Sequence, residues 1–236
     1  MSNFIPMQKL FILIIFITFS PPLCAQKIFT RHQGWSDLTL WYKVGEHTKV
    51  GGDFGYRTEL EHFSFNQTYF RPTIVWQKNP LYNVSFAISN FYTFLEDQPN
   101  LCELRFAQEA SLFWPQLSFM KIDHRLRFEE RFYYLDNYSG RESRMRYRLA
   151  LNPNKFTLLN KEGFYTSATW ETFIGLGNNF DNPLGNLHRW EAVFGNKIND
   201  RFGVGLHYIW QTTVLTDNSM KIKDNIVRLR FAYKLN

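Results

Sequence analysis

The segment Met120–Arg131 alternates between apolar and charged residues. Its apolar phase contains Met120, Ile122, Leu126 and Phe128. The opposite phase contains Lys121, Asp123, Arg125, Arg127, Glu129 and Arg131. A period of two places successive side chains on opposite faces of a β-strand. The segment therefore predicts a strand with one apolar face and one charged face.

The same alternation recurs along the chain and predicts eleven strands in a single domain. They cover approximately residues 35–44, 49–59, 65–77, 82–95, 101–114, 119–133, 141–152, 163–176, 187–197, 201–212 and 222–235. Beyond residue 25 no segment has a helical period, and no linker divides the chain. Strands of this length with one apolar face predict an all-β fold, an antiparallel transmembrane β-barrel with lipid outside and polar groups inside.

The connections between these strands alternate between short and long. Outer-membrane barrels have short periplasmic turns and longer external loops, and bacterial barrels usually have an even number of strands. With eleven strands the first and the last would run in the same direction. We therefore predict a twelfth strand before Trp35, in residues 27–33, with ten strands as the alternative.

Residues 1–25 have the order of a cleaved signal peptide. Lys9 precedes a largely apolar run, residues 10–19, which ends before Pro21 and Pro22. The run is too short to span a bilayer as a helix, which needs about 20 residues. We expect cleavage after Ala25, which leaves residues 26–236 as the barrel domain and predicts export to the bacterial outer membrane.

Composition changes this picture little. Aromatic residues make up 18% of the chain, as expected of strands and of the aromatic girdles of membrane barrels. The net charge is +6, but the basic residues alternate within strands, so we expect no nucleic-acid partner. Cys102 is the one cysteine after the signal peptide and supports neither an internal disulfide nor a zinc site. The expected partners are outer-membrane lipid and the barrel-assembly machinery, and we expect a monomer.

The charged phase is predicted to face the lumen, because a charge on the lipid face costs about 2–4 kcal/mol near the middle of the bilayer. Arginine in excess over carboxylates attracts anions, so the same residues form a candidate anion-binding site. The predicted lumen-lining residues are Glu103, Arg105, Glu109, Arg125, Arg127, Glu129, Arg131, Arg144, Arg146, Arg148, Arg228 and Arg230. Within this set, Arg144, Arg146 and Arg148 are the residues for which glutamate partners are least evident.

Charge pairing predicts the register of the hairpin formed by residues 101–114 and 119–133. A hairpin centred on Leu117 would place Glu109 opposite Arg125, Arg105 opposite Glu129, and Glu103 opposite Arg131. A shift by two residues would place Glu109 opposite Asp123, Arg105 opposite Arg127, and Glu103 opposite Glu129. Like charges that are directly opposed destabilise a sheet, so the first register is predicted.

These patterns leave several functions open. The arginines and glutamates either fill the barrel as a structural lattice or form a narrow channel for small anionic solutes. A lipid-processing barrel enzyme is an alternative, because residues 137–141 resemble the serine region of outer-membrane phospholipase A. However, Asn137 stands where a catalytic histidine is needed. A soluble lipocalin-like binding protein is another alternative. We predict no catalytic residues, metal site or cofactor.

The chain resembles an uncharacterised outer-membrane family known as domain of unknown function 2490. The resemblance lies in Leu40-Trp41, Arg57, Glu109, the run Arg125–Arg131, the run Arg144–Arg148, Trp190-Glu191 and the segment Gly203–Trp210. It implies an outer-membrane barrel with a charged lumen. It implies no reaction, because the family has no established activity.

Overall fold

The computed structural model describes residues 27–61, 65–96, 99–115, 117–136, 138–158, 161–176, 187–214 and 220–236. The predicted signal peptide lies outside these residues. The strands are β1 (Lys27–Lys43), β2 (Thr48–Glu59), β3 (Phe65–Asn79), β4 (Tyr82–Leu95), β5 (Leu101–Phe113), β6 (Met120–Leu135), β7 (Tyr138–Pro153), β8 (Phe156–Leu158), β9 (Lys161–Leu176), β10 (Leu187–Lys197), β11 (Phe202–Val214) and β12 (Met220–Lys234). Among the described residues, no helix is long and apolar enough to cross a membrane.

Eleven of the twelve strands form a closed barrel, which confirms the predicted fold. Each long strand pairs antiparallel with its neighbours in the chain, and β9 pairs with both β7 and β10. The barrel closes where β1 pairs with β12 in a parallel ladder, from Lys27 opposite Met220 to Trp41 opposite Lys234. The short strand β8 pairs only with the start of β9 and lies in the connection after β7.

The location of the predicted twelfth strand was wrong. Residues 27–33 are the beginning of β1 and not a separate strand, and the additional strand is β8. The first and last barrel strands do run in the same direction, as their alternation indicated. A parallel ladder satisfies the backbone groups of both edges without a further strand, so the closed barrel has an odd number of strands.

The barrel has two distinct ends. We call the end with the β1–β2, β3–β4, β5–β6, β7–β9 and β10–β11 connections the short-turn end, and it also holds the last residue of β12. We call the opposite end the long-loop end, and it holds the first residue of β1. Residues deep in the lumen can therefore be placed by their distance along the strands from either end.

Burial alternates along the strands, and the charged phase faces inward as predicted. On β6, Leu126 is 48% exposed on the outside, whereas Glu129 is 2% exposed in the lumen. On β4, Phe86 and Ile88 are exposed, whereas Ser89 is buried. The outer face is therefore apolar around the barrel, and the ionic groups are enclosed.

The predicted register of β5 against β6 was wrong by two residues. Arg105 lies directly opposite Arg131, and Glu109 lies directly opposite Arg127. Two of the three predicted ion pairs still form along diagonals: Glu103 with Arg131 at 2.5 Å, and Glu109 with Arg125 at 3.6 Å. Long side chains reach diagonal neighbours across a sheet, so opposite charges need not face one another directly.

Candidate anion-binding site in the barrel lumen

A contiguous set of inward-facing side chains fills the lumen near its middle. We call Trp35, Arg57, Tyr69, Phe91, Ile209 and Ile226 the packed layer. Ile209 and Ile226 are 0% exposed and Phe91 is 1% exposed, so these side chains are almost completely enclosed. Trp35 packs against both isoleucines, and Tyr69 stacks on Phe91 with ring centroids 5.1 Å apart.

Arg57 lies in the packed layer between aromatic rings. Its guanidinium carbon lies 4.1 Å from the ring centre of Trp35 and 4.7 Å from that of Tyr69. One terminal nitrogen donates a hydrogen bond to Gln67 at 3.2 Å. The aromatic rings therefore stabilise the charge of this buried guanidinium through cation–π contacts.

A cavity of about 530 Å³ extends from the packed layer toward the short-turn end, where Trp41, Lys49 and Phe113 line it. Its cationic lining consists of Lys49, Arg57, Arg71, Arg105, Arg125, Arg127, Arg144, Arg146, Arg148, Arg189, Arg228 and Arg230. Its carboxylates are Asp53, Glu109, Glu171 and Glu191. Cations outnumber carboxylates twelve to four in this lining, so the cavity attracts anions.

Two glutamates connect most of the arginines on one wall. Glu129 accepts hydrogen bonds from Arg144 at 2.6 Å and Arg146 at 2.7 Å. Glu171 accepts from Arg125 at 2.6 Å and holds Arg146 through both carboxylate oxygens. Arg146 therefore bridges the two glutamates, which joins β6, β7 and β9 through buried ion pairs.

Two further carboxylates each hold two of the predicted cations. Glu103 accepts hydrogen bonds from Arg105 at 2.6 Å and Arg131 at 2.5 Å. Asp37 accepts from Arg228 at 2.5 Å and from Arg230 at 3.2 Å. Because Asp37 is on β1 and the arginines are on β12, this cluster lies across the parallel closure of the barrel.

Arg148 is the exception among the predicted lumen arginines. No carboxylate of the described residues lies within 4 Å of its guanidinium, although Glu171 is directly opposite it on β9. Its Nε atom is buried and has no hydrogen-bond partner in the described part of the chain. The Nε atom of the neighbouring Arg125 is likewise buried without a partner.

Nine of the twelve predicted residues line the cavity, and the other three, Glu103, Glu129 and Arg131, belong to the ion-pair network around it. The structure also adds residues that the sequence did not single out. The main additions are Asp37, Arg57, Glu171, Arg189 and Glu191. Asp37 lies between Ser36 and Leu38 on a strand whose exposed residues Leu38 and Leu40 mark the outer phase. Because side chains alternate between the two faces of a strand, an outward Leu38 predicts an inward Asp37. Alternation does not predict the direction of Glu171, because its strand has polar residues on both faces.

The residues considered for catalysis are not brought together. Ser139 lies on β7 opposite Tyr134, and its hydroxyl forms no hydrogen bond with a described histidine. His124 is bonded to the Tyr147 hydroxyl at 2.7 Å, beside Trp114. Within the described residues, no group of three or more His, Cys, Asp or Glu side chains is placed to hold a metal ion.

Comparisons with known proteins add a family but no activity. A family described as "Protein of unknown function (DUF2490)" matches residues 32–221. No curated protein matches the chain. Among solved structures, the translocator domain of autotransporter NalP from Neisseria meningitidis is similar at 13% identity and a TM-score of 0.43, covering 72% of this chain and 70% of that chain.

Proposed function

The chain belongs to the DUF2490 family of proteins of unknown function, and we propose that it is an outer-membrane β-barrel whose lumen binds small anionic solutes. The observation that carries this proposal is the excess of cations in the lining of the lumen cavity. Twelve cations here share four lining carboxylates, which leaves positive charge in the lining without a counter-charge. Asp37, Glu103 and Glu129 lie behind the lining and pair with its arginines. When these three carboxylates are added to the four of the lining, the cations still outnumber the carboxylates.

The outer surface supports a membrane location. Large apolar side chains are more than half exposed on separate parts of the barrel: Phe54 and Phe70 are neighbours on β2 and β3, and Trp190 is on β10. Soluble proteins rarely expose contiguous apolar surface beyond a few hundred Å². This favours a membrane barrel over the soluble lipocalin-like alternative. By the usual rule for outer-membrane barrels, the short-turn end and the cavity face the periplasm.

The packed layer favours binding over open conduction. Phe91 is 1% exposed, and its neighbours are enclosed with it: Ser89 on the same strand and Glu103 directly opposite on β5 are each 3% exposed. A narrow channel would require these side chains to separate. The same arginine–glutamate contacts also have a structural role, because they join strands around the wall.

The proposal is tested by titrating the refolded, detergent-solubilised protein with acetate, succinate and phosphate at constant ionic strength in a calorimeter. Saturable binding of these anions is expected, without binding of spermidine as the cationic control. Failure of every anion to bind would overturn the proposal. In planar bilayers we expect no steady conductance, and a steady cation-selective current would also overturn it.

A further inference from the structure

Three arginine pairs lie directly opposite one another in the described strands: Arg105 with Arg131, Arg127 with Arg146, and Arg125 with Arg148. Directly opposed like charges destabilise a sheet unless another group compensates them. The first pair shares the carboxylate of Glu103, at 2.6 and 2.5 Å. The second pair shares the carboxylate of Glu129, at 3.3 and 2.7 Å.

The third pair has no shared carboxylate. Glu171 binds Arg125 at 2.6 Å but forms no ion pair with Arg148. Asp123, which is next on the same face of β6, accepts a hydrogen bond from Asn152 at 2.7 Å instead. Arg125 and Arg148 both line the cavity, and both have a buried Nε atom without a hydrogen-bond partner among the described residues.

We propose that the space between Arg125 and Arg148 is a binding site for phosphate, either free or as a phosphate monoester. This assignment rests on the proposed function and specifies its ligand. An oxyanion here would occupy the place that Glu103 and Glu129 occupy in the other two pairs. Guanidinium groups bind phosphate oxygens through paired N–H donors, and the unpartnered Nε atoms supply such donors.

The local charge favours a doubly charged anion over a carboxylate. The surrounding arginines are Arg125, Arg127, Arg144, Arg146, Arg148 and Arg189. The carboxylates among them are Glu109, Asp123, Glu129 and Glu171. Six cations against four anions leave an excess of two positive charges, which matches the charge that phosphate approaches near neutral pH. Ser111 lies directly opposite Arg125 and also lines the cavity, so a hydroxyl is available beside the site.

Calorimetric titration with inorganic phosphate, phenyl phosphate and acetate at constant ionic strength tests this site. We expect Arg148→Gln to weaken phosphate binding about 10-fold or more, because it removes a charged hydrogen-bond donor. Arg141→Gln is the matched control, because Arg141 lies on the same strand as Arg148 but on the outer face, where it pairs with Glu130. It should change phosphate affinity by no more than about 2-fold, because its charge lies outside the lumen.

Ser111→Glu is a second variant, which tests the site even if Arg148→Gln fails to fold. The new carboxylate would lie opposite Arg125 and supply the counter-charge that the other pairs have. We expect this variant to remain folded, with unchanged or higher thermal stability, and to lose phosphate binding. Retained phosphate affinity in the folded Ser111→Glu protein would overturn the assignment.

The outcomes separate this site from the general proposal. Binding of inorganic phosphate alone identifies free phosphate as the ligand, whereas equal or tighter binding of phenyl phosphate identifies an organic phosphate, and both support the site. Acetate binding as tightly as phosphate, or an unchanged affinity in Arg148→Gln, would overturn the site while leaving an anion-binding lumen. Absence of binding by every anion would overturn both.

Discussion

The Tyr69 hydroxyl donates a hydrogen bond of 2.6 Å to the Asp37 carboxylate, although the two residues lie two strands apart. Gly55 lies between them in the same row of the sheet, opposite Asp37 on β1 and opposite Tyr69 on β3. A Cβ atom at Gly55 would lie 2.3 Å from the Tyr69 ring. The glycine therefore allows Tyr69 to lie flat along the wall and reach the carboxylate that also binds Arg228.

Gly55→Ala is expected to destabilise the barrel, because the added methyl group displaces the Tyr69 ring and breaks its hydrogen bond to Asp37. Overpacking of this kind costs about 1–3 kcal/mol. Thermal unfolding in detergent micelles measures the change. Gly175→Ala is the control, because nothing lies within 4 Å of a Cβ atom at that strand position. Equal melting temperatures for the two variants would contradict the role assigned to Gly55.

Glu129→Gln is expected to lower the free energy of unfolding by roughly 3–5 kcal/mol, because it leaves buried arginines without their counter-charge. The adjacent Glu130 provides the control, since it forms an outward ion pair with Arg141, which is largely exposed. Glu130→Gln should cost less than about 1 kcal/mol. Chemical denaturation of the refolded proteins in lipid vesicles measures both. A similar small effect for the two variants would show that the lumen lattice is not required for stability.

Leu126→Lys tests whether the outer face contacts lipid. Leu126 is exposed near the middle of β6, where a lysine on the lipid face costs about 2–4 kcal/mol. We expect reduced folding into vesicles, seen as loss of the folded band in unheated gel samples. Leu235→Lys, beyond the end of β12, should fold like the wild type because a lysine there reaches water. Normal folding of Leu126→Lys would argue against a membrane location.

The parallel closure of the barrel predicts a specific disulfide. Leu38 and Phe231 are directly opposed on β1 and β12, so cysteines at both positions should cross-link under mild oxidation in a Cys102→Ser background. Cysteines at Leu38 and Leu229 are shifted by two residues and should cross-link far less. Mass spectrometry of the oxidised proteins distinguishes the two. Preferential cross-linking of the shifted pair would mean that the barrel closes in another register.

Much of the fold follows from the sequence, because apolar and polar residues alternate along a strand that has one face toward lipid and the other toward the lumen. Glu103, Arg125 and Arg228 were assigned to the lumen from alternation alone, and the structure places each of them there. The closure was not predictable in this way. Alternation gives the face of each residue, but it does not determine whether edge strands pair in parallel or receive another strand.

The packed layer was also missed, and for a physical reason. Ile209 lies between Tyr208 and Trp210 in a continuous apolar run, so its inward direction is hidden from a search for charged alternation. Ile226 precedes Val227 in a similar run. Apolar residues can fill a lumen as well as face lipid, and hydrophobicity alone does not distinguish the two. The predicted β5–β6 register was wrong because Glu103 reaches Arg131 diagonally, and because Glu109 pairs most closely with Arg127, directly opposite it, instead of Arg125.

Labelling of single cysteines in the lumen tests most directly whether the cavity is anion-selective and closed by the packed layer. Ser85 and Thr93 lie on the same inward face of β4 and on opposite sides of Phe91; Ser85 lines the cavity, whereas Thr93 is buried. Both would be replaced by cysteine in a Cys102→Ser background and treated with methanethiosulfonate reagents bearing either sulfonate or trimethylammonium. We predict that Ser85→Cys reacts faster with the sulfonate reagent, and that Thr93→Cys reacts slowly with both. Faster reaction of Ser85→Cys with the cationic reagent, or equal reactivity at the two positions, would contradict an anion-binding cavity that the packed layer closes.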